Sequence, residues 1–178
     1  MRITRFHLKS LKESYLVETS TRTRVREGCT PEVSRALGFN GAEVICHPGA
    51  IQEFEGVSEP WDFWMFTRRT RAHDNMAYLL GSNWGTVNYD YYPKAFCPGH
   101  SFAIDYTGLV LREAPYPAEQ VLAVPVDIEA LRQYRTRTGH NCWIDVRTEG
   151  FKQIYEKPIY LYINNFSNSI YMSLAYVT

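Results

Sequence analysis

The sequence lacks a net charge, a long apolar run and any tight pairing of cysteines. Its 178 residues hold 19 Lys and Arg against 19 Asp and Glu, so nothing global favours nucleic acid or an anionic membrane surface. No stretch is apolar for long enough to make a signal peptide or a membrane span, and neither secretion nor membrane insertion is expected. The four cysteines, Cys29, Cys46, Cys97 and Cys142, show no paired spacing. Reduced thiols in a cytoplasmic protein are expected rather than a disulfide framework. Repeats and low-complexity tracts are absent, which excludes a solenoid. What the chain does have is 45% apolar residues, enough to fill one core at this length. Its charge is unevenly spread. Residues 1–26 carry seven Lys/Arg and two Asp/Glu, a net +5 that the remainder balances with −5. This basic, Ser/Thr-bearing head loosely suits an organelle transit peptide, but Glu13 and Glu18 argue against one.

The elements can be read from their boundaries. Thr30-Pro31-Glu32 is a helix start, with a hydroxyl at the N-cap, proline at the first helical position and an acid in the first turn. "PEVSRALGFNG" then stops at Asn40-Gly41, a pair suited to a helix C-terminus. "AEVIC" is a short apolar run between glycine and proline, which predicts a strand covered on both faces. A second helix begins at Glu59-Pro60, carries Trp61, Trp64 and Met65 on one apolar face, and gives way to a strand near Ala77. "SFAIDYTGLVLREA" predicts a hairpin turning at Asp105 to Gly108. "QVLAVPVD" predicts a strand whose Pro125 confines it to an edge or a bulge. Asp127 caps the helix "IEALRQYR". The tyrosine-rich tail is less regular, and the uncharged "SIYMSLAYVT" has high β-propensity.

Three separated segments in this order, "GCTPEVSRALGFNGAEVICHPGA", "RRTRAHDNMAYLLGSNWG" and "GHSFAIDYTGLVLREAPYPAEQVLAVPVDIEALRQYR", resemble the second half of a nitrilase (carbon-nitrogen hydrolase) superfamily domain. The trailing "RTEGFKQIYEKPIY" resembles the end of amidase-like members. The resemblance implies an α/β fold, specifically the C-terminal half of an α-β-β-α sandwich. The expected organisation is a non-matching basic head over 1–26, a partial hydrolase domain over 27–160 and a divergent tail over 161–178.

The family's chemistry, hydrolysis of non-peptide C–N bonds in small amides, nitriles or carbamoyl groups, uses a cysteine, a glutamate and a lysine. The cysteine stands six residues before the helix-starting proline, here Pro31, and that position is Val25. A thiolate nucleophile needs a base within hydrogen-bond reach and donors aimed at the oxyanion, and an isopropyl group offers none of this. The glutamate and lysine precede the cysteine in the family, and nothing in residues 1–26 matches their motifs. No catalytic residue is therefore expected, and the chain is expected to be inactive by itself. The alternative expectation is a non-catalytic subunit or regulatory partner of an intact homologue. A homo-oligomer or such a heteromer is expected, because a half-sandwich leaves apolar surface without its covering strands.

The resemblance further implies that His47, Pro48, Gly49 and Ala50 line the mouth of a substrate pocket for a small amide-type molecule. No cofactor and no metal are expected. Cys97-x-x-His100 and His140-x-Cys142 offer four possible zinc ligands, but neither pair has a zinc-finger spacing. Cys29 sits in a turn before a helix but four residues past the nucleophile position, and is read as a bystander thiol, while Glu27 is read as a structural acid. Cys46 and His47 are neighbours on a strand and point to opposite faces, so they form no dyad. Asp74, Asn75 and Asn83 are read as structural hydrogen-bonding residues, and His100 as a satisfied buried histidine. Arg22, Arg24 and Arg26 would share one face of a strand. Burying three unpaired guanidinium groups exceeds the ~5–15 kcal/mol stability of a domain, so this segment is expected at an edge or in a loop.

Overall fold

A computed structural model describes residues 16–18, 30–49, 53–54, 61–83, 85, 95–96, 99–115, 118–139 and 141–156. Val25, Glu27, Cys29, the three arginines of the head, Ala50, Cys97 and His140 lie outside the described residues. The chain divides into two compact units, residues 1–143 and 144–178.

The first unit is an α/β layer structure. Helix α1 spans Pro31–Phe39 with Pro31 at its start and Glu32 in its first turn. Thr30 occupies the N-cap in an extended conformation, but its hydroxyl makes no capping bond, contrary to expectation. The helix ends as the sequence predicts. Asn40 Nδ2 donates to Ala36 O at 2.7 Å, and Gly41 takes φ +92°, a conformation costly for any residue with a Cβ. Ala42 N then closes on Leu37 O at 3.0 Å and aims the chain into β2, Val44–Pro48.

Five strands form one sheet in the order β1-β2-β4-β6-β7. β1 is Leu16–Glu18, β4 Tyr78–Ser82, β6 Phe102–Ile104 and β7 Val110–Glu113. β1, β2 and β4 run parallel, while β6 and β7 are antiparallel additions. A separate antiparallel pair joins β3, Glu53–Phe54, to β5, Ala95–Phe96. Helix α2, Trp61–Asp74, and α3, Ile128–Arg135, complete the unit.

Alternate residues of β2, β4 and β6 enter two different cores, as strands covered on both faces require. Ile45, Leu79, Phe102 and Ile104 join Ala72 of α2, with Leu37 of α1 and Met65 of α2 packed against them. Val44, Cys46, Tyr78, Leu80 and Ala103 face Leu131 of α3, with Tyr106, Val124, Val126 and Ile128 around them. On this second face α3 and the segment before it cover the strand residues, leaving them at most 6% exposed.

That segment corrects another expectation. Residues 120–127 form no strand. Val124 and Val126 pack on the core while Val121 stays 87% exposed. The alternation of apolar residues therefore records side-chain docking rather than pairing in a ladder. Asp127 accepts from Ala130 N at 2.9 Å and caps α3. The hairpin turn also forms as read: Asp105 Oδ1 accepts from Thr107 N at 2.8 Å and Leu109 N at 3.0 Å, and Arg69 of α2 donates to Gly108 O at 2.8 Å.

The second unit contains helix α4, Thr148–Glu156, in a tail that reads as irregular. Glu149 lies in its first turn, and Lys152 pairs with Glu156 at 3.7 Å. No helix among the described residues is long and apolar enough to cross a membrane.

Candidate functional site

Parallel strands β2 and β4 end side by side, and the C-terminal ends of parallel strands are where α/β sheets usually hold ligands. His47 and Pro48 are the last two residues of β2, opposite Gly81 and Ser82 of β4. Gly49 N donates to Ser82 O at 2.7 Å, and Asn83 N donates to Ser101 Oγ at 3.0 Å. Three of the four predicted pocket residues, His47, Pro48 and Gly49, thus form one corner tied to β4 and to the entry of β6.

His47 is the chemically distinctive group here. Burial, with the positive charge of Arg68 second, lowers its pKa to about 4. Arg68 belongs to α2, is 2% exposed, and lies over the Trp64 ring at 5.4 Å. The imidazole is therefore neutral at pH 7, able to donate one hydrogen bond and accept another. Cys46 enters the opposite core, so the adjacent thiol is not its partner, as the strand geometry predicts.

The lowered pKa gives a signed prediction. Between pH 6.5 and 4 the unfolded chain binds a proton at position 47 and the folded chain does not, so stability falls as pH drops through this window and levels off below it. The full shift corresponds to about 3 kcal/mol, and about 2 kcal/mol is expected for a half-buried ring. Urea unfolding at pH 4 and pH 7 checks this: His47→Gln should lose less stability on acidification than the native chain, and an equal loss would contradict it.

Asn75 and His100 are held by hydrogen bonds within the fold. Asn75, 1% exposed, donates from Nδ2 to Arg71 O at 2.8 Å. His100 meets Glu113 Oε1 through Nδ1 at 2.6 Å. It is satisfied as expected but one third exposed rather than buried, and it takes φ +53°. Sequence reading missed the convergence of Arg68, Ser82 and Ser101 on this corner. Arg68 sits in "RRTRAHD", which looks like a solvated charge run, and only the helical phase relative to Met65 and Ala72 could have marked it as inward-facing.

Comparison with known proteins agrees with this architecture. A family profile described as carbon-nitrogen hydrolase matches residues 24–136. A citrullinase of Francisella tularensis subsp. tularensis is 30% identical over 134 residues, covering 71% of this chain and 44% of that protein. A carbon-nitrogen hydrolase from Helicobacter pylori G27 superposes with TM-score 0.65 at 23% identity, over 74% of this chain and 47% of its own. Saccharomyces cerevisiae Nit3, a member of branch 10 of the nitrilase superfamily, gives TM-score 0.52 at 25% identity, over 64% and 39%. The chain thus spans less than half the length of these relatives. With its two-sided sheet, its helix order and a profile match over most of the sequence, the chain belongs to the carbon-nitrogen hydrolase family.

Proposed function

We propose that this chain supplies the C-terminal half of a carbon-nitrogen hydrolase sandwich, including the His47-Pro48-Gly49 wall of its substrate pocket, and that it does not turn over substrate by itself. The observation that carries the reading is the start of α1 at Pro31. Counted six residues back from it, the position where the family's spacing puts the attacking sulfur holds Val25. Without a thiolate at that point no acyl-enzyme forms, whatever the wall can bind.

The substrate class that fits best is a neutral amide or ureido group. The relative named a citrullinase supports extending the class beyond simple aliphatic amides, since citrulline ends in a ureido carbonyl between two nitrogens. A neutral imidazole at position 47, held uncharged by burial, suits hydrogen bonding to such a group. Ammonia release from citrulline, formamide and simple aliphatic amides tests the proposal. The expected result is release at the rate without protein; turnover that disappears on Cys29→Ala would contradict it.

A second reading is a non-catalytic subunit that joins an intact homologue or its own copy. It is favoured by β1, which ends the sheet order as an edge strand, and by Phe66 and Leu109, which are 69% and 58% exposed. Edge strands and large exposed apolar side chains are both features that association covers. Native mass measurement of the chain, alone and co-expressed with a full-length homologue, should show a dimer or a mixed complex; a monomer in both samples would contradict this reading.

A further inference from the structure

We propose that His73, Asp74 and Cys142 form a three-ligand site for a borderline divalent transition-metal cation, with zinc the best chemical match. The proposal is independent of the hydrolase reading, because the three residues lie away from the His47 corner and no catalytic step uses them. It also departs from the sequence expectation, which weighed Cys142 with His140, Cys97 and His100 and foresaw no metal.

The geometry is close to that of a filled site. One ligand atom from each residue lies within 4.8 Å of the other two. His73 Nδ1 stands 3.5 Å from Asp74 Oδ1 and 3.9 Å from Cys142 Sγ. Zinc bond lengths at tetrahedral angles give edges of about 3.4 Å between nitrogen and oxygen and about 3.6 Å between sulfur and nitrogen. These two edges exceed those values only slightly, and the third, between the Asp74 and Cys142 ligand atoms, lies within 4.8 Å.

A rival reading of the same trio is a Cys-His-Asp catalytic relay. A relay passes through the imidazole and uses its two nitrogens for two different partners. Here thiol and carboxylate both face Nδ1, so the three groups converge on one point in space, as ligands around an ion do.

Charge and scaffold support the same assignment. A carboxylate, a thiolate and a neutral imidazole balance a divalent cation, and the mixed N, O, S set suits zinc better than magnesium or calcium, which prefer oxygen alone. His73 and Asp74 end α2, where the helix dipole favours positive charge. Arg71 approaches the other carboxylate oxygen, Asp74 Oδ2, at 3.9 Å, leaving Oδ1 toward the imidazole. Arg35 donates to the Asp74 carbonyl. Cys142 is held by its neighbours. Asn141, 4% exposed, donates from Nδ2 to Arg135 O at 2.8 Å and Arg137 O at 3.0 Å and accepts from Trp143 N at 3.0 Å. Outer contacts of this kind orient metal ligands. His73 also borders an open cleft of about 270 Å³ lined by Phe66, Arg69, Thr70, Thr107 and Gly108.

The test uses the full chain, stripped with chelator and titrated with Co2+ and then Zn2+. One equivalent of Co2+ should produce a thiolate-to-cobalt charge-transfer band that Zn2+ removes, and Zn2+ should raise the melting temperature. Cys142→Ser should abolish the band. Asp74→Asn, close to isosteric and so the safer variant for folding, should weaken Co2+ binding by at least about tenfold while melting like the native chain in chelator. Affinity should rise with pH, because binding displaces the thiol proton. No charge-transfer band in the native chain, a band that survives Cys142→Ser, or one lost only on Cys97→Ser would each overturn the assignment.

Discussion

Gly81→Ala should destabilise the protein by about 3 kcal/mol, near the upper end for overpacking a core. Gly81 sits in a row across three strands, opposite His47 on β2 and opposite Phe102 on β6. A Cβ at position 81 would stand 2.3 Å from both Cε1 and Cζ of Phe102. That is far inside contact distance, and the ring has little room to retreat, being 7% exposed among Ile45, Leu79 and Ile104. The glycine is thus explained by a close approach rather than by backbone freedom. Phe102→Ala alone should also destabilise, by about 3–5 kcal/mol through its cavity. The pair should be less costly than the sum, because the new methyl enters the space the ring has left. A double-mutant cycle read by urea unfolding checks this, with a coupling of about 2 kcal/mol expected. Strict additivity would mean that the ring does not cover Gly81.

Arg135→Ala should cost about 3 kcal/mol and loosen the segment that carries Cys142. Arg135 donates from Nε to Met76 O at 2.9 Å and from Nη2 to Ala42 O at 2.6 Å. Both carbonyls belong to residues that are at most 1% exposed, so truncation leaves two acceptors without their donors, each costing roughly 1–3 kcal/mol. The guanidinium also lies 4.5 Å over the Trp143 ring, an interaction of about 1 kcal/mol. Burial lowers the Arg135 pKa, partly offset by Glu43, yet an arginine stays charged near neutrality. Arg135→Lys keeps the charge but lacks the fork that spans two carbonyls, so it should recover less than half of the loss. Full recovery by lysine in thermal unfolding would contradict the account, since charge alone would then suffice.

The elements legible in the sequence are those whose ends are written locally. Pro31 and Asn40-Gly41 bound α1, Asp127 caps α3, and Asp105 with Gly108 makes the hairpin turn; each signal acts within four residues. β2 was legible as a buried strand because its apolar run is short and uninterrupted, although it ends two residues later than read, at Pro48. What escaped reading depends on distant partners. Leu16–Glu18 becomes β1 only through its parallel ladder with Val44–Cys46, and nothing inside a basic head announces that ladder. Residues 120–127 show the reverse, a period-two pattern that pairs with no strand among the described residues. α4 was hidden by Gly150, a poor helix former near its start.

The candidate site divides in the same way. The resemblance assigns His47, Pro48 and Gly49 to a pocket mouth, and the structure sets them at the end of β2 beside β4. Arg68, which shares its electrostatics, comes from a helix 21 residues away, in a stretch whose composition resembles solvent-facing charge. His73 and Cys142 are separated by 69 positions, so no spacing motif connects them, and only the packing of the loop after α3 against the end of α2 brings them together.

A crystal structure of the chain at the His47-Pro48-Gly49 corner is the most direct test, because it shows which side chain fills the place of the nucleophile. The account predicts the isopropyl group of Val25 facing that corner, with no carboxylate and amine converging on it. The Cys29 sulfur in that place, with a carboxylate and an amine drawn in around it, would contradict the account.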